Sequence, residues 1–220
     1  YSFNDREEVN EERFNRYVNL GITSEDMFLR LNGEIPLNRL KPFTYPKLED
    51  LKALNYRSVC LGSYIPWYPK KQSQIIMKEI GWKGDEVENV PPEYNYEKIE
   101  CYMQGVRDYI KYIKRGYSRP SHLSAIDLRN KEISIDKAKE NIKLYEGKKP
   151  PSLEIFLEFI GLKEDEFYKV LKKHEISPNK FDLNLISNGK KLHDFDNWDK
   201  SGKMDREDSL KILKDWEKNN

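Results

Sequence analysis

The sequence predicts a mainly α-helical protein with one small α/β element near residues 57–67. Apolar side chains recur at three- and four-residue spacing in segment after segment, each bounded by glycine, proline or a capping residue. Only one short run, Val59, Cys60 and Leu61 followed by Gly62 and Ser63, reads as a buried strand entering a loop. Charged residues make up 35% of the chain and aromatic residues 12%, so a heavily charged exterior encloses an aromatic-rich core.

The elements follow in order. Val9, Phe14 and Val18 share one face of an opening helix that Gly21 stops. "TSEDMFLRLNG" predicts a second helix, with Thr23 or Ser24 as N-cap and Glu25 and Asp26 favouring its positive end. Pro36, Pro42 and Pro46 predict an extended connector over 34–46, and Leu48, Leu51 and Leu54 resume helical spacing. "PKKQSQIIMKEIGW" gives a helix with Pro69 in its first turn and Gly81 after its last. "KGDEVENVPPEYNY" reads as a polar, proline-broken loop of a length that often covers a site.

The clearest helical pattern runs over 98–115, where Ile99, Tyr102, Val106, Ile110 and Ile113 share a face and Arg107, Lys111, Lys114 and Arg115 flank it. Helices are predicted over Pro120–Arg129, Ser134–Glu146, Ser152–Ile160 and Lys163–His174. The last pair has the outline of a helix-turn-helix, but "KEDEF" at the start of its second helix would repel phosphate. A final amphipathic helix passes through Leu210, Ile212, Leu213 and Trp216. Before it, "DFDNWDKSG" departs from the calcium-loop pattern and reads as a solvated turn.

Bulk properties exclude several function classes. The 220 residues suffice for one sizeable domain, or one with an appendage. With 39 Lys and Arg against 38 Asp and Glu, the net charge of +1 provides no global field toward nucleic acid or an anionic membrane. Cys60 and Cys101 lack neighbours at metal-ligand spacing and read as reduced thiols of a cytoplasmic protein. No apolar run reaches the ~20 residues of a membrane span, and the polar start is unlike a signal peptide. The first residue is Tyr1 rather than Met, which suggests a fragment or a processed piece.

Spacing alone names no catalytic machinery: the glycine-rich phosphate loop, G-x-S-x-G and H-E-x-x-H are all absent. Two segments concentrate recognising groups. In "GSYIPWYPKK", Ser63, Tyr64 and Trp67 can supply a hydroxyl and flat apolar walls, or simply pack on the core. In "YIKRGYSRPSHLSAIDLRN", Gly116 stops one helix and the next begins near Ser121 or His122. Backbone N–H groups and the Arg119 guanidinium can converge there on an anion. Lys114 and Arg115 also complement a helix C-terminus without any ligand, and Asp127 with Arg129 can form a buried network. His174 and His193 read as a helix-end and a tail residue.

Together, "SYIPW", "KIECYMQGVRDYIKYIKRGY" and "HLSAIDLRN" resemble the C-terminal half of N-acetyl sugar amidotransferases, over about Tyr45 to Glu175. These belong to the ATP-pyrophosphatase superfamily and serve pseudaminic, legionaminic and O-antigen (lipopolysaccharide) biosynthesis. The resemblance implies adenylation of the sugar acetamido oxygen by ATP with Mg, attack by ammonia at that carbon, and departure of AMP to leave an acetamidino sugar. It implies a nucleotide-activated or free N-acetyl sugar as substrate, a glutaminase subunit supplying ammonia, a cyclase-like partner, and neither nucleic acid nor membrane.

The superfamily signature "SGGxDS" is absent, so residues 1–68 are expected to be the remainder of the nucleotide-binding α/β domain with a connector. Residues 69–180 are then the helical substrate-side domain, and 181–220 a polar tail with one helix. No cofactor is expected to bind tightly to this part alone. By motif, Ser63, Tyr64, Trp67, Arg107, Lys114, Arg119, His122, Asp127 and Arg129 are implied to shape the sugar site or meet the adenylate. Two other readings stay open: a nucleic-acid or protein-binding module using the basic face 107–119, and a docking surface for the ammonia-supplying subunits.

Overall fold

The computed structural model describes residues 21–55, 61–178, 180–193, 195 and 202–219. Ten α-helices account for most of them: α1 (Ser24–Arg30), α2 (Leu37–Leu40), α3 (Leu48–Ala53), α4 (Pro69–Ile80), α5 (Gln104–Arg115), α6 (Arg119–Arg129), α7 (Ile135–Tyr145), α8 (Leu153–Ile160), α9 (Glu164–Lys173) and α10 (Arg206–Asn219). Among the described residues the β-pairing is a single parallel bridge between Lys149 and Asn188. The mainly α prediction therefore holds. The predicted opening helix, and Val59 and Cys60 of the expected strand, lie outside the described residues; from Leu61 to Ser63 the chain is a 3₁₀ turn.

The chain divides into two compact units, Tyr1–Trp67 and Tyr68–Asn220. In the first, a capping box starts α1: the Thr23 hydroxyl accepts the Asp26 N–H, and the Asp26 carboxylate accepts the Thr23 N–H. The predicted extended connector is instead α2 and a 3₁₀ turn, Lys41–Phe43. Pro36 is the N-cap of α2 and Pro42 falls in the first turn of the 3₁₀ segment, positions where the missing N–H costs nothing.

In the second unit, α5, α8 and α9 enclose a core of Val106, Tyr109, Ile113, Leu153, Leu157, Phe167 and Leu171. The Tyr109 and Tyr168 hydroxyls lie 2.9 Å apart in a hydrogen bond, which satisfies both polar tips inside the aromatic cluster. The α9 face that carries Phe167 and Leu171 is buried in this core, while Asp165, Lys169, Lys172 and Lys173 are exposed. A second cluster joins Val87, Val90, Tyr94 and Leu123. The 83–96 segment, expected as a covering loop, thus supplies core side chains.

The structure also corrects the start of α5, which begins at Gln104 rather than near 98. Lys98 adopts φ +55°, a left-handed conformation that ends any helix, so Ile99 and Tyr102 precede α5 and Tyr109 takes a core position on its face. Inside α5, Gly105 permits close packing: a Cβ there would stand 2.6 Å from Glu88 Oε2. Glu88 is 1% exposed and its carboxylate accepts the Ser152 hydroxyl and N–H ahead of α8. Burial pushes its carboxyl group up against those hydrogen bonds.

Candidate functional site

The site grows from the junction of α5 and α6. Gly116, at φ +79°, stops α5 as predicted, and the Ile176 and Ser177 N–H groups close its end by donating to the Lys114 carbonyl. The next N–H groups do converge on an anion, but the anion belongs to the protein. The Ser118 N–H reaches Glu146 Oε1 at 2.7 Å, and the Ser121 N–H reaches Oε2 at 3.0 Å. The Ser121 hydroxyl adds a bond of 2.9 Å to Oε1. Glu146 therefore caps α6 from the far end of α7, and the positive helix end is already neutralised.

The Arg119 guanidinium is committed in the same way. It is 4% exposed, and its Nη2 lies 2.8 Å from Asp108 Oδ2 and 3.1 Å from Gln104 Oε1. Its Nη1 donates to the Glu97 carbonyl at 2.7 Å and to that of Lys98 at 3.4 Å. One fork thus binds the 97–98 segment to α5. The carboxylate that Arg119 was expected to meet is Asp108, whose pKa burial raises despite the cations Arg119, Arg107 and Lys111.

Around this pin opens a cleft of ≈ 430 Å³, walled by α5, the start of α6 and the 97–98 segment. It brings together four of the sequence-predicted residues: Arg107, Lys114, Arg119 and His122. Lys98, Lys111 and Arg115 line it too. Lys111 Nζ stands 4.7 Å from the centre of the Tyr117 ring, a cation–π contact. Among the described residues no carboxylate lies within ion-pair distance of Lys98, Arg107, Lys114 or Arg115, and the lining carboxylates are Glu97 and Asp108 alone. The wall is a cationic surface whose cations outnumber the carboxylates that line it.

Asp127 and Arg129 are not in this cleft lining, and they do not form the expected buried network. Asp127 is 2% exposed and meets Lys70 Nζ at 2.9 Å and the Tyr94 hydroxyl at 3.1 Å, while Arg129 is exposed. Lys70 also pairs with Glu132 at 3.0 Å. Burial opposes the Lys70 charge, but the hydrogen bonds of Asp127 and Glu132 outweigh it, so its pKa is raised. Burial and the charge of Asp127 raise Tyr94 as well, and push Tyr96 up to about 12. This cluster fixes α4 to α6 through Lys70, a residue the sequence reading did not single out.

Ser63, Tyr64 and Trp67 belong to the first unit, with Tyr64 68% and Trp67 63% exposed. Most of "DFDNWDKSG" lies outside the described residues. Among the described residues no group of three or more His, Cys, Asp or Glu can hold a metal ion. No helix among them is long and apolar enough to cross a membrane. Cys101 is free and exposed.

Residues 93–198 match a protein family described as LPS biosynthesis protein WbpG-like, C-terminal domain. No curated protein and no solved structure gives a significant match. The matched segment holds α5, α6 and all ten residues that line the cationic cleft.

Proposed function

We propose, from the match of residues 93–198 to the family described as LPS biosynthesis protein WbpG-like, C-terminal domain, that the chain is the substrate side of an ATP-dependent N-acetyl sugar amidotransferase. The reaction replaces the acetamido oxygen with nitrogen. ATP with Mg adenylates that oxygen in a nucleotide-binding half, ammonia from a glutaminase subunit working with a cyclase-like partner attacks the carbon, and AMP departs. The product is an acetamidino sugar of the pseudaminic, legionaminic or O-antigen type.

The observation that carries this reading is the cation-lined cleft inside the matched segment. An adenylate, or a sugar bearing a carboxylate or phosphate, is an anion that needs such partners. Arg107 and Lys114 are free to meet it, and Arg107 can do so through two parallel hydrogen bonds. Of its two expected roles, shaping the site or meeting the adenylate, Arg119 suits the first: its guanidinium is engaged by Asp108, Gln104 and the 97–98 carbonyls, so it shapes the wall. Arg119→Ala is accordingly expected to destabilise the fold as well as to reduce activity.

The test is conversion of N-acetyl sugars by the chain joined to a nucleotide-binding half, with ATP, Mg and ammonium, followed by mass spectrometry. Exchange of oxygen for NH in the product is expected. Arg107→Ala should lower kcat/KM by about tenfold or more with the fold intact, and wild-type turnover in that variant would remove Arg107 from the site. The unpaired cations also suit the second reading, a nucleic-acid surface. Salt-sensitive RNA or DNA binding by the chain, with no amidination, would favour it.

A further inference from the structure

Among the described residues five non-glycine residues have positive φ: Asn32, Asn55, Asn89, Lys98 and Lys131. Asparagine tolerates this region, and Lys131 follows the last turn of α6, where the chain commonly turns left-handed. Lys98 has neither excuse. It follows no α-helix, and a lysine held there is less stable than a glycine by about 1 kcal/mol. The conformation persists because the surroundings impose it: Arg119 Nη1 takes the carbonyls of both Glu97 and Lys98, while Nη2 is anchored on α5 by Asp108 and Gln104. The lysine so placed lines the cationic cleft beside Arg107, Lys114 and Arg115, with no ion pair among the described residues.

We infer that Lys98 is an anion-binding residue of the cleft and that Arg119 is its positioning residue, holding the backbone at 98 in the conformation from which the lysine lines the wall. The inference rests on the reading of the cleft as the site of an anionic substrate group. It assigns the ligand contact to an exposed lysine and the conformational control to the buried arginine that holds its carbonyl.

Titration of the 220-residue chain with inorganic pyrophosphate by calorimetry tests it, alongside denaturation of each variant. Lys98→Gly accepts the left-handed φ and removes the ammonium, so affinity should fall about tenfold with stability undiminished. Lys98→Arg should restore most of it. Lys78→Ala, on α4 and outside the cleft, should change nothing beyond a weak general charge effect. Arg119→Lys cannot span both carbonyls and Asp108, so it should lose affinity too, and adding it to Lys98→Gly should cost no further affinity. Independent losses in that pair would overturn the positioning role without any appeal to folding. Unchanged affinity in Lys98→Gly would overturn the Lys98 contact while leaving the cleft an anion site. No pyrophosphate binding by the unaltered chain would overturn the anion reading of the cleft itself, and the inference with it.

Discussion

Helix α6 carries a charged cluster at each end, and the two differ in how their charges are matched. At its C-terminal end Lys70 faces two carboxylates, Asp127 and Glu132, and Tyr94 adds a hydroxyl. At its N-terminal end Arg119 and Glu146 are likewise engaged, but beyond them Lys98, Arg107, Lys114 and Arg115 line the cleft with no ion pair among the described residues. A buried charge that lacks a partner is strongly destabilising, so complete pairing marks a structural joint. Unpaired cations on a concave wall remain hydrated until an anionic ligand displaces the water, which marks a place to bind. The comparison separates two kinds of candidate that look alike in sequence: Asp127 belongs to the joint, Arg107 and Lys114 to the wall.

The joint should respond most to mutation. Lys70→Met leaves the Asp127 carboxylate, with its side chain 3% exposed, supported by Tyr94 alone, and should lower unfolding free energy by about 3 kcal/mol in denaturant titration. A loss below about 0.5 kcal/mol would show that water replaces the ammonium and would break the distinction between joint and wall. Next comes the cap. Glu146→Ala frees the Ser118 and Ser121 N–H groups at the start of α6 and should cost about 1–2 kcal/mol, with faster hydrogen exchange in that first turn. Undiminished protection there would mean that the cap contributes nothing to holding the cleft wall.

The contrast also explains what the sequence disclosed. Helices were legible wherever one face repeats and a breaker follows, as for α4 between Pro69 and Gly81 and α5 ending at Gly116. The start of α5 was not, because the residue that ends the preceding turn is Lys98, a left-handed position without the glycine or asparagine that normally announces one. Basic residues on α5 were legible as a flank, so Arg107 and Lys114 reached the cleft as expected. Their unpaired state was not, since it depends on which carboxylates fold nearby. Lys70 and Asp127 are 57 residues apart, and Ser118 and Glu146 are 28 apart, separations that no local periodicity encodes. The motif pieces grouped Arg119 and Asp127 with the true wall residues because both are fixed side chains on α6, and only the partners tell their roles apart.

The smallest effect is the most diagnostic, because the two ends of α6 should respond to pH with opposite sign. At the cleft end, burial raises Asp108 above the ordinary carboxylate range. Between the ordinary value and the raised one the unfolded chain has released the proton and the native chain still holds it, so this group's contribution falls as pH rises through that window. At the joint, the hydrogen bond from Lys70 leads the effects that lower Glu132. There the unfolded chain binds the proton first, so the contribution is present above the ordinary value and is lost as pH falls through the lowered one. Unfolding free energy measured across the acidic range should therefore decline less steeply on the upper side in Asp108→Asn, and less steeply on the lower side in Glu132→Gln. The readout is the slope against pH rather than its height, which both substitutions also change. Parallel slopes in the two variants would mean that the ends of α6 share one electrostatic environment, and the wall would lose its claim to be the place where charge is left for a ligand.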